Sequence, residues 1–351
     1  MRQHGTDVER IPNHLSGRRA MFRGLVVAGA LFGTVLASHA QTLRFADLHA
    51  PDSPTGKGAT KFAELVKKYS DGDLTVRVYP SGQLGDAKNL TNSVKTGALD
   101  MAIGTFPLLA DIVPEYNVYN AGYFFDSWSN LKMIVEGENF GKKWNKQLLD
   151  KSGIEMMAAS YYGARDLTTK GFPVKKPADL NGKKIRAVPN SMSLAVDTGL
   201  GGKPTPVAFP DLFQALSQGV VDAQENPLPT IESEKFYEVQ DHLMLTQHQL
   251  IVLPWIANAQ RLKRLSDKNR KAVLKAAQEA AQWTSQRTAE VEKNLSKKLA
   301  DQGMTVVDES DGLDLEAFKK SVRAEVKKRF EGKVWPSGLS EKVLEASKQA
   351  Q

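Results

Sequence analysis

No cysteine occurs among the 351 residues. That removes disulfides, thiolate nucleophiles and thiolate-bound metals from consideration together. Histidine is scarce as well, with six in the chain. His242 and His248 have no carboxylate at metal-ligand spacing and read as structural, so no metal site and no cofactor is expected. The signatures of hydrolytic and nucleotide chemistry are also missing. There is no G-x-S-x-G elbow and no H-E-x-x-H pair. Gly199-Leu200-Gly201-Gly202-Lys203 imitates a phosphate loop, but Asp197 stands where its first glycine belongs and Pro204 follows the lysine. After residue 41 no apolar run reaches the 18 or so residues of a membrane span.

What is present belongs to an ordinary globular chain, 41% hydrophobic and 25% charged, long enough for two domains. The formal charge of +7 is partly a property of the N-terminus. Residues 1–40 hold five arginines (Arg2, Arg10, Arg18, Arg19, Arg23) against Asp7 and Glu9, so +3 of the +7 lies there and +4 remains. The remaining basic residues alternate with acids at helical spacing, without interleaved aromatics, and nucleic acid is not an expected partner. Gly24–Leu36 is a run of 13 apolar or small residues after three arginines, and Ser38-His39-Ala40 supplies small residues at cleavage positions. Residues 1–40 therefore read as a signal peptide cut before Gln41, with the periplasm as destination. Arg18-Arg19 admits a twin-arginine route, and Met21 is an alternative start that would delete the pair; general secretion is the expectation.

Beyond the signal the pattern alternates. Thr42–Asp47 reads as a strand, followed by a helix from about Thr55 whose Ala59, Phe62, Leu65, Val66 and Tyr69 share one face. A strand Leu74–Tyr79, a turn, a helix bearing Leu90 and Val94, and a strand near Gly97–Gly104 follow. This β-α-β-α-β order implies a mainly parallel sheet. Residues 106–150 are helical and rich in aromatics, read as packing. Ile154–Ser160 and His248–Ala257 are further strands, and from Ser266 to about Ala300 runs a helix of roughly 50 Å, too long for one small lobe.

In an α/β fold, ligands collect where strands open into loops. Arg186 on one strand and Asn226 at the end of another are placed for this: a planar fork of donors that suits a carboxylate, beside a mixed donor and acceptor. The bland reading of Arg186 is an exposed arginine paired to a surface acid. His49 follows the first strand, where cleft donors sit, or is a loop histidine with a satisfied hydrogen bond.

The run Gly182-Lys183-Lys184-Ile185-Arg186, with Pro206-Val207-Ala208-Phe209 and Gly219–Pro227 ending Gln224-Glu225-Asn226-Pro227, resembles the solute-binding proteins (DctP family) of tripartite ATP-independent periplasmic (TRAP) transporters. Tyr79–Asp86 (YPSGQLGD) and Gly97–Ala102 (GALDMA) fit the same pattern, so the likeness covers nearly all of the chain after residue 41. It implies a two-lobed, type II-like periplasmic-binding fold with mixed sheets, hinge strands and a long helix spanning both lobes. Lobe I is expected in residues 41–162 with about 249–285, and lobe II in 163–248 with about 286–351, the helix at about 266–300 crossing both. It implies that Arg186 grips a substrate carboxylate, with Asn226 and Phe209 beside it and Arg165 in support. Two arginines in one cleft without acids beside them need an anion, which favours an acidic ligand on physical grounds too.

Small and large integral membrane subunits are the implied protein partners, with uptake driven by an ion gradient. The acid itself is less legible. Ala87 and Thr105 stand where sialic-acid receptors carry acids, which argues against sialic acid. Asp47-Leu48-His49 with Pro54-Thr55 resembles hexuronate receptors, whose ligand hydroxyls suit His49, Tyr161 and Tyr162. A sugar acid is the expectation, with a C4-dicarboxylate or an aromatic 2-oxo or 2-hydroxy acid as alternatives. The competing class is a periplasmic hydrolase or lyase acting on an acid, for which Glu225 would be the best carboxylate.

Overall fold

The computed structural model describes residues 40–348; the expected signal peptide, apart from its last residue, lies outside them. Nine strands form one mixed sheet: β1 (Gln41–Ala46), β2 (Leu74–Tyr79), β3 (Met101–Ile103), β4 (Ile154–Thr169), β5 (Lys184–Ala187), β6 (Lys203–Pro206), β7 (Ala223–Pro227), β8 (His242–Asn258) and β9 (Thr305–Val307). Their order is β2-β1-β3-β8-β4-β7-β5-β6, with β9 beside β8. At one end β1 lies parallel to β2 and β3, and at the other β5 lies parallel to β6 and β7, as the alternating pattern requires. Between them β4 and β8 run antiparallel to each other, 16 and 17 residues long, and join both ends into a single sheet.

These two strands are longer than the hydrophobic pattern suggests. The expected breaks at Ser160 and His248 fall inside continuous strands, because polar residues there are satisfied laterally. Ser160 Oγ accepts from Trp255 Nε1 at 3.0 Å, and His248 bonds both neighbours. Register shifts near Tyr161–Gly163 and Arg165–Leu167 turn the strands where they cross. Gly163 sits at one of them with φ +129°, and a Cβ there would come within 2.6 Å of Pro227.

The helix Asp267–Asp301 has 35 residues and is capped by Ser266, whose hydroxyl accepts from Asn269 N. Its first half buries Val273, Ala276, Ala277, Ala280 and Ala281 with Phe45, Phe62 and Trp255 beside β1 and β3. Its second half buries Leu295 and Leu299 with Leu212, Leu216, Ile231 and Phe236 at the opposite end of the sheet. Small alanines dominate the buried face of the first half and leucines that of the second. The helix therefore serves both ends, as its length predicts. Residues 106–150 break into short helices whose Phe106, Tyr116, Tyr119 and Trp144 form one buried aromatic cluster.

Candidate functional site

A cavity of about 150 Å³ opens where β5, β7, β8 and β4 meet the loops after β1 and β3. One water needs roughly 10–15 Å³ by this measure, so the space suits a ligand with on the order of ten non-hydrogen atoms. Arg186, Arg165, Asn226, Phe209, His49 and Tyr162 all line it. Tyr161 does not. It alternates with Tyr162 along β4 and points to the other side, where its hydroxyl donates to Glu292 Oε2 at 3.0 Å and its ring stacks on Trp128.

Arg186 projects from β5 and is 1% exposed. Its Nε donates to the Val207 carbonyl at 3.0 Å, which fixes the plane of the guanidinium. Nη1 and Nη2 are buried without a partner. Burial and the neighbouring Arg165 cation pull this guanidinium down to about 10. The surface ion pair that is the bland fate of an arginine is not what happens here. Its guanidinium carbon lies 5.9 Å from the Phe209 ring centre.

Arg165 differs from the expectation. It has an acid beside it: Glu225, on the adjacent strand β7, takes its Nε and Nη2 with both carboxylate oxygens, and the Glu225 main-chain carbonyl takes Nη2 as well. Strand neighbours two residues apart share a face, so β4 and β7 place these charges together. His248 Nε2 donates to Glu225 Oε2 at 3.2 Å, while Thr246 Oγ1 lies 2.8 Å from His248 Nδ1. Burial pushes the Glu225 carboxyl up, but Arg165 and the His248 hydrogen bond outweigh it and hold the group at about 2. Burial lowers His248, which stays a neutral donor. The premise of two uncompensated arginines is therefore corrected to one, and Glu225 and His248 are consumed as structure rather than chemistry.

The remaining residues are positioned by short local bonds. His49 Nδ1 donates to Asp47 Oδ1 at 2.6 Å, and its ring packs 4.8 Å from Tyr162 and 5.9 Å from Phe209. The Tyr162 hydroxyl accepts from Thr230 at 2.6 Å, and Asn226 Nδ2 donates to Gln224 at 2.6 Å. Ala87 and Thr105 line the cavity. Next to the lining residues His49 and Phe209 the loops meet: Ala50 N donates to Glu234 Oε1 at 3.2 Å, and a Cβ on Gly82 would touch Pro210 at 3.0 Å.

Several lining residues escaped the sequence argument, among them Asn120, Asn190, Ser193 and Gln249. Asn120 lies in the stretch read as packing, and neither it nor Gln249 sits in a motif. Asp197 did carry a signal, as a lone acid on the apolar face of the helix Ser191–Gly199. It is fully buried with both oxygens unpaired, and burial together with Glu225 raises it well above the usual carboxylate range. Among the described residues no cluster of His, Cys, Asp or Glu is arranged to hold a metal.

A partly open cavity between loops of a sheet joined by two long strands, lined by an arginine whose donors are left unpaired, suits a solute receptor. The profile of "Bacterial extracellular solute-binding protein, family 7" (DctP) matches residues 45–333, and the chain belongs to that family, a family of receptors rather than enzymes. A solute-binding protein of Chromohalobacter salexigens is 30% identical over 302 residues, 83% of this chain and 88% of that one. The 2,3-diketo-L-gulonate-binding periplasmic protein YiaO of Escherichia coli is 28% identical, over 89% and 94% of the two chains. A TRAP periplasmic solute-binding protein of Actinobacillus succinogenes, solved with bound L-galactonate, superimposes with a TM-score of 0.82 at 31% identity, over 88% and 100%. The protein is thus a TRAP solute receptor for carboxylates, with the α/β fold of that class.

Proposed function

We propose that this receptor holds one sugar acid by its carboxylate against Arg186 and delivers it, in the periplasm, to small and large membrane subunits for ion-gradient-driven uptake. The observation that carries this is the pair of buried, unpartnered Nη atoms of Arg186, a residue that lines the cavity. Leaving a buried cation unpaired costs several kcal/mol, and a carboxylate received side-on takes both Nη groups at once. Asn226, Phe209, His49 and Tyr162 complete the ligand's surroundings, with Arg165 steadying the carboxylate through its field.

The choice of sugar acid rests on three supports. Relatives were solved with galactonate and with D-erythronate. Ala87 and Thr105 offer no acid to a sialic-acid side chain. A C4-dicarboxylate would bring a second charge for which the cavity lining holds only exposed Lys88, because Arg165 is already taken by Glu225.

A thermal-shift screen of the purified protein against small acids and matched neutral sugars tests the reading. A ligand that binds the folded state raises Tm with the logarithm of its concentration over Kd. Sugar acids are expected to shift the transition where neutral sugars do not. Equal shifts with neutral sugars would remove Arg186 from its role, and product formation proportional to protein concentration would favour a hydrolase or lyase.

A further inference from the structure

Ile103, Pro107, Leu108 and Ile251 give the cavity an apolar share of its lining, and Asn120 is among the amide side chains that line it too. Asn120 is 6% exposed, lines the cavity, and its Oδ1 is buried without a hydrogen-bond partner. The residue is held by a neighbour in the lining: Gln249 Nε2 donates to the Asn120 main-chain carbonyl. Gln249 in turn lies abreast of Arg165 in the β4–β8 register, so this part of the lining adjoins the two arginines. A buried amide oxygen without a partner is costly unless whatever fills the space gives it a donor. A carboxylate, a keto oxygen and a methylene have none to give. A hydroxyl has.

We propose that Asn120 determines specificity by accepting a hydrogen bond from a hydroxyl on the carbon next to the ligand's carboxylate, with Gln249 positioning it, so that the receptor selects 2-hydroxy acids over 2-oxo and unsubstituted acids. This rests on the carboxylate being held at Arg186. The carbon bearing that hydroxyl follows the carboxylate directly and lies next to the arginines, where Asn120 stands. A site built to bond a hydroxyl rejects the analogue lacking it much more strongly than an apolar pocket rejects a missing methylene, because its own polar group is stranded.

Two ligand sets test this by calorimetry or ligand-observed NMR on the purified protein. Galactonate is compared with 2-deoxygalactonate, and lactate with pyruvate and propionate, which differ only at the second carbon. The expected result is that galactonate binds on the order of ten- to a hundredfold more tightly than its deoxy form, and lactate ahead of both its analogues. Asn120→Leu, which keeps the size of the side chain and the main-chain carbonyl, should level both rankings while still binding acids. Equal binding within each set by the unaltered protein, or rankings that survive in Asn120→Leu, would overturn the proposal and leave the grip at Arg186 standing. Failure of every acid to bind would bring down that grip, and this inference with it.

Discussion

Glu225 holds Arg165 with both of its carboxylate oxygens and so leaves Arg186 as the one lining arginine without an acid of its own. The two cations lie close enough that Arg165 depresses Arg186. One is a fixed part of the framework, and the other is held ready.

Arg186 should therefore show opposite effects on binding and on stability. Arg186→Met is expected to weaken acid binding by about 3–5 kcal/mol, the scale for losing one side of a buried charged pair. It should at the same time leave the empty protein as stable or raise its Tm, because an unpaired buried cation is removed. Arg186→Lys should also weaken binding, since a point charge cannot reproduce the fork. Calorimetric titration and a melting curve of each variant check both halves.

Breaking the framework pair should behave differently. Glu225→Gln strands Arg165 in the interior and is expected to cost about 3–5 kcal/mol of folding stability, whereas replacing both partners by apolar residues should recover much of it. Urea unfolding of Glu225→Gln, Arg165→Met and the Arg165→Met/Glu225→Leu pair would show this as non-additivity.

Asp166 gives a pH dependence whose sign can be worked out. Burial raises its carboxyl to about 8, while its Oδ1 accepts from Gln247 N, a residue at φ +44° beside the strand irregularity. A carboxyl raised on folding contributes stability at pH values below its unfolded pKa, near 4, and that contribution is lost as pH climbs toward 8. Glu225, held at about 2, acts in the other direction: its contribution is present above about 4 and is lost as pH falls toward 2. Asp166→Asn keeps the acceptor and removes the titration, so its Tm should match the unaltered protein near pH 4 and exceed it at pH 8.

The contact between the loops beside His49 should influence how long a ligand stays. Glu234→Ala removes the acceptor for Ala50 N and so loosens the loop that carries His49, and the dissociation rate is expected to rise by up to about tenfold with a smaller change in association. Stopped-flow dissociation would measure it; an unchanged rate would relegate this contact to surface structure.

Most of the framework was legible because it depends on period. Phe62, Leu65 and Val66 recur at helical spacing, β2 alternates from Leu74 to Tyr79, and Ser266 caps the long helix where the pattern places it. Arg186 and Asn226 stood out as polar residues at apolar strand ends, and both line the cavity. The illegible part lay in pairings between distant segments. Alternation alone could not decide which of Tyr161 and Tyr162 faces the cavity, since a register shift beside Gly163 sets it. The partner of Arg165 sits 60 residues away, and Asn120 becomes conspicuous only because nothing in space pairs its oxygen.

The long helix and the strands β4 and β8 each take part in both ends of the sheet. Neither end can lose its structure without tearing elements out of the other, so unfolding should be a single cooperative event in which neither half outlives its partner. A ligand held at the junction then steadies the whole chain, and one melting temperature reports on all of it.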